Sequence, residues 1–328
     1  MADDSFVRPL RSPAMTRAPL LLATLSLLTA CGEKTSPSAT DAAPATSPPV
    51  STAAVKSAEA PASPGKVTDA TAAASAKKVW WTAEMLHTEI KYHNPNYEGT
   101  GEFAIEQGQV LALNLREAQV THLVFLERLS PLALDLSGTP IRDIRPLKGL
   151  KLQELYLEDS PVTDLSPLRG MPLQKLYLSR TPVSDLSALE GMPLVEFNAV
   201  DTRVSDLGPL ARSPIEMLWL TGAPVEDIAP LAKLPLVSLT LHRTRVRSLG
   251  PLAGTNLQRL HIGETPVEDL SPLKGLPLTR LVFTPATVKA GLEIAKNLPL
   301  QEVGTRFDEE SRDLLPPAAF WPQIEAAK

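Results

Sequence analysis

Six aspartates recur at one fixed spacing along the middle of the chain, and a column of carboxylates could bind metal ions. They are Asp143, Asp164, Asp185, Asp206, Asp227 and Asp269. Carboxylates about 5 Å apart on neighbouring coils could ligate calcium. Each aspartate also precedes a short turn, of the form xPL in all cases but Asp185, and its side chain can cap the backbone N–H groups of that turn. We favour the capping role, because Ser248 takes the same place in one repeat and serine is a cap but a poor calcium ligand.

The histidines offer little further chemistry. His242 and His261 are the pair expected to share a surface, on adjacent strands and two residues out of step, which puts them roughly 7–8 Å apart. That separation is too large to hold a metal ion unaided. The sequence contains no phosphate loop, metalloprotease helix or cysteine-based zinc spacing. We therefore predict no catalytic site, no metal, no cofactor and no enzymatic activity.

Composition narrows the class of partner. The 328 residues carry a formal net charge of −5, so no basic surplus points to nucleic acid. Cys31 is the single cysteine, which excludes a disulfide framework.

An apolar run, PLLLATLSLLTAC, follows three arginines near the N-terminus. It is shorter by roughly five residues than a membrane-spanning helix, as in a secretory signal. Its last four residues, LTAC, resemble the lipobox of bacterial lipoproteins. The resemblance implies that residues 1–31 are a signal peptide, that acyl chains such as palmitate are attached to Cys31, and that the protein is anchored in the cell envelope, facing the periplasm or the exterior. The competing interpretation is a short buried helix with an incidental cysteine; a start at Met15 would leave a shorter signal with the same end.

Residues 32–78 consist mainly of Ala, Ser, Thr and Pro. Such a composition cannot bury a core, so the sequence predicts a disordered tether. A coil of this length would span about 40 Å on average. We favour a plain spacer over a disordered binding epitope.

A 21-residue repeat fills the rest of the chain. Its reference position is occupied by Val120, Ile141, Val162, Val183, Val204, Val225, Val246, Val267 and Val288. A fixed period in this range is typical of a solenoid whose units bury a core only by stacking. Paired leucines such as Leu218 and Leu220 alternate with variable residues, which predicts a short strand in each unit. The PVxDLxPL segments are too short and proline-rich for long helices, so they should return the chain through tight or 3₁₀ turns.

The consensus LxxLxLxxTxVxDLxPLxxLP resembles the leucine-rich repeat in its bacterial internalin-like form, over residues 110–303. The resemblance implies an α/β repeat fold: a curved solenoid with a concave parallel sheet and a convex side of tight turns. One departure is general: threonine or serine replaces the usual asparagine after most strands, and Ala118, Ala223 and Ala286 lack a hydroxyl there. A hydroxyl there can still hydrogen-bond the neighbouring backbone.

Both ends suggest caps that cover the first and last coils. Residues 79–109 predict a helix after Thr82 that ends near Asn94, followed by a hairpin; Trp81, Met85 and Ile90 are the residues expected to cover the first coil. At the other end, TVKAGLEIAKNL predicts a helix, and residues 304–328 predict a cap helix that packs Phe320, Trp321 and Ile324 on the last coil. The two ends are similar to those of leucine-rich repeat proteins from planctomycete-like bacteria.

The variable residues of the strands should form the outward, concave face. The residues we predict to contact a partner are Asp135, Tyr156, Tyr177, Asn198, Met217, Trp219, His242, Arg259 and His261. Aromatic side chains with Met are enriched at interface centres. The N-terminal third of this face is acidic and the C-terminal third is basic. The sequence thus favours a lipid-anchored, monomeric binding protein for a protein or glycan; the alternatives are a structural envelope lipoprotein with an inert face, or a regulatory subunit of a signalling system.

Overall fold

A computed structural model of the chain describes residues 79–306 and 313–326. The predicted signal peptide, Cys31 and the predicted tether lie outside these residues. Within the described ranges, no helix combines the length and the apolar character needed to cross a membrane.

The described part is built on one eleven-stranded sheet whose strands follow chain order. The strands are β1 (Glu102–Glu106), β2 (Gln109–Asn114), β3 (Ala133–Asp135), β4 (Glu154–Tyr156), β5 (Lys175–Tyr177), β6 (Glu196–Asn198), β7 (Met217–Trp219), β8 (Ser238–Thr240), β9 (Arg259–Ile262), β10 (Arg280–Phe283) and β11 (Glu302–Gly304). β1 and β2 form an antiparallel hairpin, and every later strand is parallel to its predecessor. This is the predicted leucine-rich repeat solenoid, with the sheet on its concave side.

The sheet register follows the repeat. Phe197, Leu218 and Leu239 lie opposite one another on β6, β7 and β8, each 21 residues after the last. All three are fully buried, as are Leu220 and Leu241 just beyond the strands. Because every coil places equivalent residues at the same height, the apolar positions of the repeat form one continuous core.

The convex side consists of short 3₁₀ helices, as the proline-rich segments predict. They span Val124–Arg128, Arg145–Leu147, Ser166–Leu168, Ser187–Leu189, Gly208–Leu210, Ala229–Leu231, Gly250–Leu252, Ser271–Leu273 and Pro285–Thr287. Proline occupies their first turn in most coils, where its fixed φ suits the turn and its missing N–H is not needed.

The aspartate column caps these turns. In each of six coils a carboxylate oxygen of the aspartate accepts a hydrogen bond from the backbone N–H two residues on, at 2.7–2.9 Å. Ser248 makes the equivalent bond to the N–H of Gly250 at 3.2 Å. The capping prediction is confirmed. Over residues 79–306 and 313–326, no three His, Cys, Asp or Glu residues are grouped so as to hold a metal ion.

Six coils carry a hydroxyl in place of the asparagine after the strand, and each of these hydroxyl residues is buried and hydrogen-bonded. Thr139, Ser160, Thr181, Thr202, Thr244 and Thr265 each donate to the carbonyl three residues earlier, at 2.6–2.8 Å. These bonds close the turn that leaves the strand. In several coils they add to a hydrogen bond from the backbone N–H of the same residue to the same carbonyl.

The N-terminal cap contains helix α1 (Ala83–His93), and Thr82 caps it by accepting the N–H of Met85. Trp81 and Ile90 are buried as predicted. The prediction for Met85 is wrong: its side chain is exposed, and Leu86 is buried in its place. Leu86 and Ile90 are four residues apart and therefore share the face of α1 that packs on the first coil.

The C-terminal cap contains helices α2 (Leu292–Lys296) and α3 (Pro317–Ala326). The helix predicted for TVKAGLEIAKNL forms only in its second half. Its first half bonds to the preceding coil, with Ala290 bridging Asp269, and Gly291 then turns the chain in the left-handed region at φ 79°. On α3, Phe320 is buried, while Trp321 and Ile324 pack partly buried on the core, as predicted.

Candidate functional site

The concave face presents three rows of side chains that run across the strands. The central row consists of the residue that follows the buried leucine of each strand, or Phe197 on β6. From β2 to β10 it comprises Asn114, Asp135, Tyr156, Tyr177, Asn198, Trp219, Thr240, His261 and Val282. The leading row lies two residues before the central row, and the trailing row two residues after it. The predicted alignment of the variable positions is therefore confirmed.

Three aromatic residues of the central row, Tyr156, Tyr177 and Trp219, form what we call the aromatic ladder. The ring centroids of Tyr156 and Tyr177 are 5.0 Å apart on adjacent strands, with an interplanar angle of 38°. The Trp219 ring lies 6.0 Å from that of Tyr177, although β6 separates their strands. The intervening residue, Asn198, has a short side chain, which leaves room for the two rings to meet.

The tyrosine hydroxyls are anchored to the leading row. Tyr156 donates to Glu154 at 3.1 Å, and Tyr177 donates to Glu196 at 2.7 Å. Lys175 lies between the two carboxylates, with its Nζ 3.5 Å from Glu154 and 3.4 Å from Glu196. Each of these three charged side chains is less than one-fifth exposed. The rings are thus held in place before any partner arrives, which lowers the entropy lost on binding.

The protonation of Tyr156 favours the same arrangement. Burial raises the pKa of Tyr156 well above its ordinary value, and the negative charge of Glu154 raises it further. The hydroxyl therefore stays protonated at physiological pH and remains a donor to Glu154.

The polar members of the central row serve the fold as well as the face. Asp135 accepts the N–H of Ser137 at 2.8 Å, and it is buried rather than exposed. Asn198 accepts the N–H of Val200 at 3.0 Å and the hydroxyl of Ser179 at 2.7 Å. The bonds to the N–H groups of Ser137 and Val200 stabilise the turn that follows each strand. Part of the hydrogen-bonding capacity of Asp135 and Asn198 is therefore already used.

The C-terminal part of the face differs in exposure. Arg259 is exposed, whereas His261 beside it is buried, and His242 is half-buried near Glu264. Burial lowers the pKa of His261 to about 4, with the positive charge of Arg280 as the next cause. His261 is therefore neutral at pH 7. Met217 is half-buried one strand position before Leu218, in the leading row beside the aromatic ladder.

The structure thus places all nine predicted contact residues on the concave side, but with unequal access. Asp135, Tyr177 and His261 are buried by their neighbours, while Tyr156, Asn198, Met217, Trp219 and His242 are half-buried and Arg259 is exposed. The predicted contact residues did not include the linked set Glu154, Lys175 and Glu196. The signal was present as an acid–base–acid alternation at 21-residue spacing, directly in step with the two tyrosines.

Fold and face together define the class of protein: an internalin-like leucine-rich repeat protein with an aromatic concave face. Among solved structures, the internalin InlF of Listeria monocytogenes is 27% identical, with a TM-score of 0.53 over 66% of this chain and 73% of the other. Internalin C2 of the same species is 25% identical, with a TM-score of 0.53 over 61% of this chain and 92% of the other. Neither a scan against protein-family models nor a search of curated proteins gave a match. The likeness to the internalins supports a repeat domain that binds protein.

Proposed function

We propose that the protein is a non-enzymatic, monomeric recognition module that binds a protein partner through its concave face. The observation that carries this proposal is the aromatic ladder, whose tyrosines are fixed by Glu154 and Glu196. Three rings and Met217 within four strands give a surface that is apolar in the middle and polar at its edges. Interface hot spots have this composition and this arrangement.

The test of this proposal is Trp219→Ala. Trp219 is half-buried and contacts Tyr177 on the concave face of the sheet, outside the apolar core. Truncating an aromatic anchor at an interface centre costs about 2 kcal/mol or more, so we expect partner affinity to fall by roughly tenfold or more. The melting temperature should change little, because the apolar core is untouched. The partner is first isolated with the full chain as bait, and the variants are then titrated against it.

The matched controls are Arg169→Ala and Lys274→Ala. Both side chains are exposed at the ends of convex 3₁₀ turns, so their removal should alter neither affinity nor melting temperature. Loss of binding in these controls, with full binding by Trp219→Ala, would move the site away from the concave face.

We further propose that the module is held at the cell envelope by acyl chains on Cys31 and displayed on residues 32–78. The support is the lipobox-like LTAC at the end of a signal-like apolar run, together with the composition of the segment that follows. One acyl chain binds a membrane only marginally, so firm attachment requires the two or three chains that the lipoprotein resemblance implies.

Cys31→Ser should therefore move the protein from the membrane fraction to the soluble fraction and abolish metabolic labelling with a palmitate analogue. The measurement is fractionation of cells that express the unmutated and the substituted chain. The proposal fails if the unmutated chain carries no acyl label and is recovered in the soluble fraction.

A further inference from the structure

The concave face carries excess negative charge over its first strands. On β3–β6 the three rows hold four carboxylates, those of Asp135, Glu154, Glu158 and Glu196, against the single ammonium of Lys175. Lys175 is already bound between two of the carboxylates. Glu158, in the trailing row, has Arg116 3.8 Å away, and its side chain is 16% exposed. The electrostatic potential above Tyr156 is therefore negative, and water screens it only in part.

The same three rows reverse sign over the later strands. On β7–β10 they hold the guanidiniums of Arg259 and Arg280 and no carboxylate. Arg280 is paired with Glu302 of β11, whereas Arg259 is exposed. His261 is neutral at pH 7 and adds no charge there. Between the acidic and basic parts lie the uncharged side chains of Met217 and Trp219.

The geometry sets the length of a ligand that would meet both charges. Tyr156 lies on β4 and Arg259 on β9, five strand spacings apart. At about 4.8 Å per spacing the two ends are about 24 Å apart, which an extended peptide covers with roughly seven residues.

We infer that the partner presents an extended peptide segment whose positive and negative charges are segregated; this inference rests on the proposed function. A lysine or arginine lies over the acidic part, where the half-buried ring of Tyr156 adds cation–π attraction. An apolar side chain contacts Met217 and Trp219, and an aspartate or glutamate lies near Arg259. Nucleic acid, which carries one sign of charge throughout, would be repelled by the acidic part, and a neutral glycan would use neither charged part.

The test compares two fluorescent peptides of identical composition, each of about ten residues. Both contain two lysines, two glutamates, one leucine, and glycine and serine. In the first the lysines and glutamates occupy opposite ends around the leucine; in the second they alternate. Binding to the full chain is measured by fluorescence anisotropy at about 20 mM and about 0.5 M salt.

We expect the segregated peptide to bind at least about fivefold more tightly at low salt, and the difference to vanish at high salt. Glu158→Gln and Arg259→Gln should each remove about half of the preference on a logarithmic scale. Lys274→Gln and Glu190→Gln change charge on exposed convex positions and should leave the preference intact.

Equal affinity for the two peptides, or no saturable binding of either, would overturn the inference. So would a preference that survives both Glu158→Gln and Arg259→Gln. These results can be distinguished from failure of the proposed function. If binding of the natural partner depends on Trp219 but is unaffected by Glu158→Gln and Arg259→Gln, the concave face is the binding site but segregated charge is not what it recognises.

Discussion

Leu218→Ala should lower the free energy of unfolding by about 2–5 kcal/mol. Leu218 is fully buried on β7, in the middle of the sheet, between Phe197 of β6 and Leu239 of β8. Its strand is bonded to neighbours on both sides, so the backbone cannot collapse into the space that the truncation leaves. The cost therefore includes a cavity as well as lost apolar burial. Urea denaturation followed by circular dichroism measures the difference.

The comparison for Leu218→Ala is Asp206→Ala in the preceding return segment. Asp206 is exposed, and its loss removes one capping hydrogen bond to the N–H of Gly208 at 2.8 Å. We expect a cost nearer about 1 kcal/mol. If the two substitutions were equally harmless, the assignment of the leucine to the core and the aspartate to the turn would be wrong.

The fold was largely predictable because the repeat removes the usual uncertainty of long-range pairing. Once Leu218 and its counterparts 21 residues away are aligned, each strand can pair only with the next coil in the same register. A slip of one residue would move every such leucine from the core to the concave face. Sheet order, register and core therefore follow from one period.

The caps were less predictable, because nothing in the chain repeats them. Whether Met85 or Leu86 is buried depends on how helix α1 is rotated about its axis, and the coil beneath the helix determines that rotation. At the other end, Ala290 pairs with Asp269 in a parallel bridge, so the residues around it are extended although the local pattern predicts a helix there. In both cases a tertiary contact overrides local preference.

On the concave face, alternation predicts direction but not exposure. Tyr177 and His261 point away from the core, and yet both are buried. Strands about 4.8 Å apart bring large side chains of one row into contact, so they cover each other. The hydrogen bonds of Glu154 and Glu196 to the tyrosines depend on side-chain conformations that a period cannot specify.

Asn94→Ala should cost about 2–4 kcal/mol and release the N-terminal cap before the repeats unfold. Asn94 is 1% exposed. Its side-chain amide donates to the carbonyls of Ile90, at 3.1 Å, and His122, at 3.0 Å. Its side-chain oxygen accepts the N–H groups of Thr121, at 2.8 Å, and His122, at 2.9 Å. One residue thus joins the end of α1 to the first coil, and truncation removes four hydrogen bonds made by a buried side chain.

The expected signature of Asn94→Ala is faster amide hydrogen exchange in α1 (Ala83–His93) than in β7, because a solenoid unfolds first where its nearest-neighbour contacts are weakened. Thr88→Ala is the matched control: the Thr88 hydroxyl donates to the carbonyl of Glu84 at 2.9 Å on the exposed side of the same helix. Its loss should change stability by less than about 0.5 kcal/mol. If Asn94→Ala resembles Thr88→Ala, or if exchange rises equally in β7, then Asn94 is not what fastens the cap. In that case the buried pair Leu86 and Ile90 alone would hold α1 on the solenoid.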